Sequence, residues 1–250
     1  FKQQFCVTGG FQNKQIVGYR DTDEFHNRIA PYSYRVNKEG VLDLPPKLYG
    51  ERTCDLHPEQ RRVYNEIKRE LMTELSDGSI ITTQQVIERM LRLQQITQGF
   101  LPLEDGGFEE IPTNRMTPVD DLIEQATGRV VFWARFREDI TRLIQHLGQD
   151  SCVRYDGETN SPEERREAKA VWRQGGRRFF MGNAAAGGTG LDWINGATTV
   201  IYYSNSFSSL DRWQSEDRTH RIGTKGTVNY YDIICRGSLD RSIMRNLRRK

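Results

Sequence analysis

The stretch RFFMGNAAAGGTGLDWINGATTVIYY at residues 178–203 decides the fold. Its two ends, Arg178–Met181 and Thr199–Tyr203, are short runs rich in aromatic and β-branched residues, which predicts two buried strands. Between them, Asn183–Asp192 holds three alanines and three glycines. Such a loop after a strand lets backbone N–H groups approach a phosphate closely, and an acid like Asp192 accepts from a ribose hydroxyl. A Gly-rich loop alone has low specificity, so its neighbours carry the weight.

The next segment is SSLDRWQSEDRTHR at 208–221. Ser208 with Asp211 approximates a capping box, Leu210 and Trp213 supply an apolar face, and Gly223 is placed to stop a helix. Gln214, Arg218 and Arg221 then fall at i, i+4 and i+7, which predicts one stripe facing away from the core. Guanidiniums held side by side repel unless an anion lies between them, and a transferring phosphoryl group is the usual such anion. Arginines that only complement the helix dipole and stay solvated fit the helix equally well when it is read alone. A Gly-rich loop, a strand and a Gln-x-x-x-Arg-x-x-Arg helix in that order favour the phosphate, because each supplies a different part of one site.

Outward from this block the chain alternates. Strands are predicted at Val130–Trp133, Cys152–Tyr155, Phe179–Met181, Thr199–Tyr203 and Val228–Ile234. Helices are predicted at 135–147, ending at Gly148, and at 161–174, where Ser161 caps, Pro162 takes the first position and Glu164 closes the box. Short βα alternation implies an α/β fold: a parallel sheet with helices on both faces and ligands at the carboxyl ends of the strands. Residues 1–112 lack the alternation. They hold an irregular opening, the lead-in LPPKLYGERTCDL at 44–56, helices at roughly 58–75 and 82–98, and a turn at 103–108 suited to a hairpin.

Composition excludes more than it selects. Across 250 residues the net charge is +2 with 28% charged residues, so overall charge does not argue for nucleic acid. Locally, residues 236–250 carry five Arg and one Lys against Asp240, with Leu239, Ile243, Met244 and Leu247 in helical spacing. A solvated basic face and contact with a nucleic-acid backbone both fit that tail. Cys6, Cys54, Cys152 and Cys235 show no C-x-x-C spacing, so no metal is expected, and lone buried thiols suit a reducing compartment. No apolar run has transmembrane length and no signal peptide is legible, so a soluble, cytoplasmic protein without membrane contact is expected, with a monomer as the expected state.

GGTGLD at 187–192 and QSEDRTHRIG at 214–223 resemble motifs V and VI of the switch/sucrose-nonfermenting (Swi/Snf) type helicase-like ATPases of superfamily two. The family's block is typically QAxDRxHRIGQ, and Thr224 stands where its last Gln would be. VVFWARFREDITRLIQHL at 130–147 resembles motif IV, and RYDGETNSPEERREAKAVWRQ at 154–174 resembles the "DGSTS..ER" block. RMLRLQQITQGFL at 89–101 is similar to the "RLRQICNHP" helix, and APYSYRVNKEGVLDLPPKL at 30–48 to the family's lead-in to its second lobe. Residues 204–208, Ser-Asn-Ser-Phe-Ser, replace the family's aromatic "PWWNP". The lead-in also resembles phage- or prophage-encoded members.

The resemblance implies the second of two RecA-like lobes. The expected divisions are 1–112 for the lead-in and helical protrusion, 113–236 for the RecA-like lobe and 237–250 for the basic C-terminal helix. No G-x-x-x-x-G-K-S/T occurs in the 250 residues, and Asp23-Glu24-Phe25-His26 follows a polar stretch rather than a buried strand, so it reads as a solvated helix start. The chain reads as half of a motor, and its start at Phe1 suits a piece of a longer protein. ATP and Mg²⁺ would be bound mainly by the first lobe. By the same resemblance Arg218 and Arg221 supply arginine-finger charge and Gln214 positions the phosphate or water. Gly188, Gly190 and Asp192 meet the nucleotide, while Thr189, Thr159 and Arg135 meet a DNA backbone. His220 is a supporting residue. The implied partners are double-stranded DNA and the N-terminal RecA-like lobe. Two alternatives stay open: a non-motor nucleic-acid-binding or partner-docking lobe, and the second lobe of an RNA helicase, which Asp217 in place of that group's usual Gly disfavours.

Overall fold

The computed structural model describes residues 1–9, 15–34, 36, 41–76, 82–103, 106–159, 161–185, 191 and 193–248. The chain divides into two compact units, Phe1–Asp43 and Leu44–Lys250. The first contains α1 (Lys2–Phe5), an antiparallel pair β1 (Cys6–Gly9) and β2 (Gln15–Tyr19), and α2 (Thr22–Ile29). Asp23 and Glu24 lie exposed in the first turn of α2, as a solvated helix start requires.

The second unit is built on a six-stranded sheet. In chain order it comprises β3 (Lys47–Asp55), α3 (Pro58–Ser76), α4 (Thr83–Gln98), the short antiparallel pair β4 (Phe100–Pro102) and β5 (Phe108–Glu110), and α5 (Met116–Gln125). There follow β6 (Val130–Trp133), α6 (Arg137–Leu147), β7 (Cys152–Tyr155), α7 (Pro162–Gln174), β8 (Phe179–Gly182) and β9 (Thr199–Tyr202). The chain closes with α8 (Ser209–Thr219), β10 (Val228–Arg236) and α9 (Asp240–Arg248). The sheet order is β3-β10-β9-β6-β8-β7, and every neighbouring pair is parallel. This is a RecA-like α/β architecture.

Alternation along β6 shows why helices flank both faces. Val130 and Phe132 join one core with Val119 and Leu122 of α5 and Ile140 and Leu143 of α6. Val131 and Trp133 point the other way, into a core with Trp172 of α7, Phe180 and Val200. Side chains of a strand alternate between faces, so a strand covered on both sides must be apolar throughout. Helix α7 begins and ends where the sequence places its signals. Ser161 Oγ accepts from Glu164 N at 3.1 Å, Ser161 N donates to Glu164 Oε2 at 3.1 Å, and Gly175 closes α7 at φ 76°.

Two expectations are corrected. A sixth strand, β3, runs through the lead-in at 44–56, for which no strand is predicted, and pairs with β10 over nine residues, from Lys47↔Val228 to Asp55↔Arg236. It lies at the sheet edge, where one flank needs no apolar cover, so polar residues conceal it. Helix α6 begins at Arg137 rather than at residue 135. Arg135 N donates to Ser204 Oγ at 2.8 Å and its carbonyl accepts from Asn183 Nδ2 at 2.6 Å, contacts that hold it outside the helix.

At the C-terminus, Ile243, Met244 and Leu247 of α9 pack on Ile234. The basic tail meets acids of β3: Arg236 pairs with Asp55 at 2.5 Å, Arg241 with Glu51 at 3.0 Å, and Arg248 also with Glu51. All four cysteines are free and buried. Among the described residues no helix is long and apolar enough to cross a membrane.

Candidate nucleotide and nucleic-acid site

The carboxyl ends of β6, β8 and β9 open into a concavity of about 320 Å³, lined by Arg135, Asn183, Ser204, Asn205, Asp211 and Arg212 among others. Parallel α/β sheets bind ligands at this edge because the loops and helix N-termini gather there. Helix α8 starts on its rim, where Ser208 Oγ accepts from Asp211 N at 3.2 Å.

The expected geometry of α8 needs two corrections. Leu210 and Trp213 are 59% and 49% exposed, so they do not form the inward face. The buried side is polar: Ser209, Arg212, Ser215, Glu216 and Thr219. Arg212 forks onto Asp232 of β10 at 2.5 and 3.1 Å, and its Nε donates to Glu216 at 2.8 Å. Lys47 Nζ and the Tyr49 hydroxyl of β3 then donate to the other Glu216 oxygen, at 3.0 and 2.8 Å. Burial alone would raise the Glu216 carboxyl, yet Arg212 and then Lys47 hold it below its ordinary value. Satisfied ion pairs thus take the place of an apolar stripe.

Second, the helix stops at Thr219, four residues before Gly223. The Thr224 hydroxyl donates to the carbonyls of Thr219 at 3.1 Å and Arg221 at 2.7 Å, and the Tyr230 hydroxyl donates to Glu216 O at 3.1 Å. Hydroxyls that satisfy the last carbonyls compete with another helical turn. Gln214 and Arg218 therefore share a helical face, while Arg221 stands in the turn beyond, its N–H on Thr224 Oγ1 at 3.1 Å. All three are partly buried. His220 is buried and bonds through Nε2 to Pro45 O at 2.6 Å, which ties the end of α8 to the lead-in.

Arg135 sits in the concavity, beside Phe136 at 5.4 Å from the ring centroid. Burial lowers its pKa, and its guanidinium donates to Gln94 Oε1 of α4. Thr159 is elsewhere, in a groove beside α7 and the edge strand β7. Its hydroxyl is used within its own turn, donating to Arg154 O and accepting from Asp156 N, each at 3.4 Å. Arg135 and Thr159 thus occupy different concavities. Gly188, Thr189, Gly190 and Asp192 lie outside the described residues.

Sequence reasoning passed over Gln94, Ser204 and Asp139. Gln94 is fully buried, and its Nε2 donates to Asn205 O at 2.5 Å. Ser204 Oγ donates to Asp139 Oδ2 at 2.6 Å, and burial lifts the fully buried Asp139 carboxyl to about 7 against that bond and the nearby Arg115 and Arg142. One signal was available: Gln94, Thr97 and Gln98 sit at the spacing of a buried helix face, where polar residues need assigned partners.

A family model described as helicase conserved C-terminal domain matches residues 114–223. The TATA-binding protein-associated factor mot1 of Schizosaccharomyces pombe is 24% identical over 280 residues, spanning 89% of this chain and 14% of that protein. The chain therefore covers only a small part of the curated relatives it matches. Among solved structures, the C-terminal part of the Fun30 ATPase domain aligns with TM-score 0.66 at 16% identity, covering 82% of this chain and 90% of that one. The Sulfolobus solfataricus SWI2/SNF2 ATPase core in complex with dsDNA aligns with TM-score 0.63 at 20% identity, covering 100% of this chain and 53% of that one.

Proposed function

We propose, from the match of residues 114–223 to the helicase C-terminal domain model and the likeness of the chain to Swi/Snf-type ATPases, that it is the second motor lobe of an ATP-dependent translocase on double-stranded DNA. Helix α8 carries the reading: Arg212 and Glu216 anchor it through buried ion pairs, while Gln214, Arg218 and, past its end, Arg221 remain partly open. A helix anchored this way beside partly exposed guanidiniums suits electrostatic stabilisation, which works through groups positioned in advance.

In this reading Arg218 and Arg221 place positive charge against the outer phosphate of ATP held by the first lobe, and Gln214 positions the phosphate or the water. The donor set fits phosphate oxygens, since guanidinium and amide N–H groups are hydrogen-bond donors. ATP supplies a phosphoryl group whose transfer concentrates negative charge at those donors. Mg²⁺ is assigned mainly to the first lobe, as the resemblance implies. Gly188, Gly190 and Asp192 are proposed to meet the nucleotide, and Arg135 with Thr189 a DNA backbone. Thr159 is a weaker candidate because its hydroxyl is spent locally. The exposed Leu210 and Trp213 support a protein-facing role for the outer side of α8, which we assign to the first lobe.

The test is turnover in a chain that also carries the first lobe, with duplex DNA, single-stranded DNA and RNA as stimulants. Arg218→Ala and Arg221→Ala should each lower kcat by about 10³–10⁵ while DNA affinity stays within a few fold. Near-parental turnover in both variants would overturn the finger assignment, and stimulation by RNA alone would overturn the duplex-DNA assignment.

A further inference from the structure

Arg135 pairs with no carboxylate among the described residues, yet it is held at several points. Its N–H donates to Ser204 Oγ at 2.8 Å, its carbonyl accepts from Asn183 Nδ2 at 2.6 Å, and its guanidinium donates to Gln94 Oε1. Ser204 is fixed in turn by Asp139, at 2.6 Å. Gln94 uses the other end of its amide to donate to Asn205 O at 2.5 Å, so this one fully buried side chain from α4 bridges two residues that line the concavity. The acid lining the same space among the described residues, Asp211, accepts from Ser206 at 3.5 Å rather than from Arg135. A partly buried cation with a neutral amide as its side-chain partner keeps its full charge, whereas a carboxylate there would cancel it.

We infer that Gln94 is a positioning residue: it aims the Arg135 guanidinium into the concavity as a phosphate contact while leaving the charge uncompensated. The inference rests on the proposed contact between Arg135 and a DNA backbone. It adds that the α3–α4 arm, through Gln94, controls how well that contact is made. The neutral amide is essential. Gln94→Glu would supply a carboxylate at the same place, pair with Arg135 and withdraw it from phosphate, although the shape of the side chain barely changes.

Titration of labelled duplexes of unrelated sequence at several salt concentrations, with unfolding midpoints recorded for every variant, tests this. Arg135→Gln should weaken binding by about tenfold and reduce the slope of log affinity against log salt by about 0.9, the value of one phosphate contact. Gln94→Glu should reproduce that loss of slope, and the double variant should bind no worse than Arg135→Gln alone, as shared action requires. Gln94→Met, which removes the acceptor without adding charge, should weaken binding a few fold with the slope nearly kept. It also serves as the readout if the buried glutamate prevents folding. Were Arg135→Gln to bind as the parent does, or the parent to bind no duplex, the backbone contact itself would be overturned and the positioning role with it. An impaired Arg135→Gln beside Gln94→Glu and Gln94→Met chains of parental affinity and slope would overturn the positioning role alone.

Discussion

Arg212 and Arg135 line the same concavity and are treated in opposite ways. Arg212 meets both oxygens of Asp232 and one of Glu216, and it stacks 3.5 Å from the centroid of the Tyr202 ring. Arg135 meets an amide oxygen and lies over the ring of a phenylalanine. A buried charge that is fully compensated holds structure, because removing it strands its partners. One that is oriented but not neutralised is available to an anion from outside. The contrast separates the helix anchor from the ligand-facing cation on grounds of pairing, and burial runs the same way, Arg212 being buried and Arg135 partly so.

The strongest way to break this contrast is to remove the anchor. Arg212→Ala leaves Asp232 and Glu216 buried without their shared cation and should cost about 3–5 kcal/mol in urea unfolding. The loss from Arg135→Gln should stay under about 1 kcal/mol, since no acid depends on it. Equal losses would mean that Arg135 is structural too.

A smaller effect sharpens the uncompensated side. Asp139 is neutral in the fold up to about pH 7, while in the unfolded chain it ionises near the ordinary carboxylate value. The folded state therefore binds more protons between those limits. This group's contribution to stability is full at the acid end and declines with rising pH, by at most about 1.4 kcal/mol per pH unit. Asp139→Asn should flatten that part of the stability profile between about pH 4 and 7, measured by denaturation at each pH. A profile that keeps the same fall would show that other groups govern it. The smallest effect belongs to the outer face of α8: Trp213→Ser should alter stability by no more than about 0.5 kcal/mol, because the ion pairs beneath hold the helix.

Five of the six sheet strands were legible in the sequence: β6, β8 and β9 are buried along their whole length, and β7 and β10 keep enough apolar and aromatic residues around Arg154, Asn229 and Asp232 to read as strands. Edge strand β3 was not, since Lys47, Glu51 and Arg52 interrupt any apolar run and only Cys54 is buried along it. In α8 the inward-facing rule failed for a physical reason: Leu210 and Trp213 are apolar, but Arg212 and Glu216 find oppositely charged or hydrogen-bonding partners on β10 and β3, far away in the chain. The end of the helix also depended on a distant contact, the hydroxyl of Tyr230. Gln94 could be flagged as a polar residue on a buried face, but its partners lie 41 and 111 residues away.

The parallel ladder between β3 and β10 has a mechanical meaning. A pull on the chain before Leu44 runs along β3, and β10 resists it through backbone bonds that lie across the direction of the load. The nine paired residues are then loaded together in shear instead of being unzipped one at a time. Tension arriving from that side is spread over the length of the strand, and Lys47 and Tyr49 pass part of it to Glu216 and so to α8.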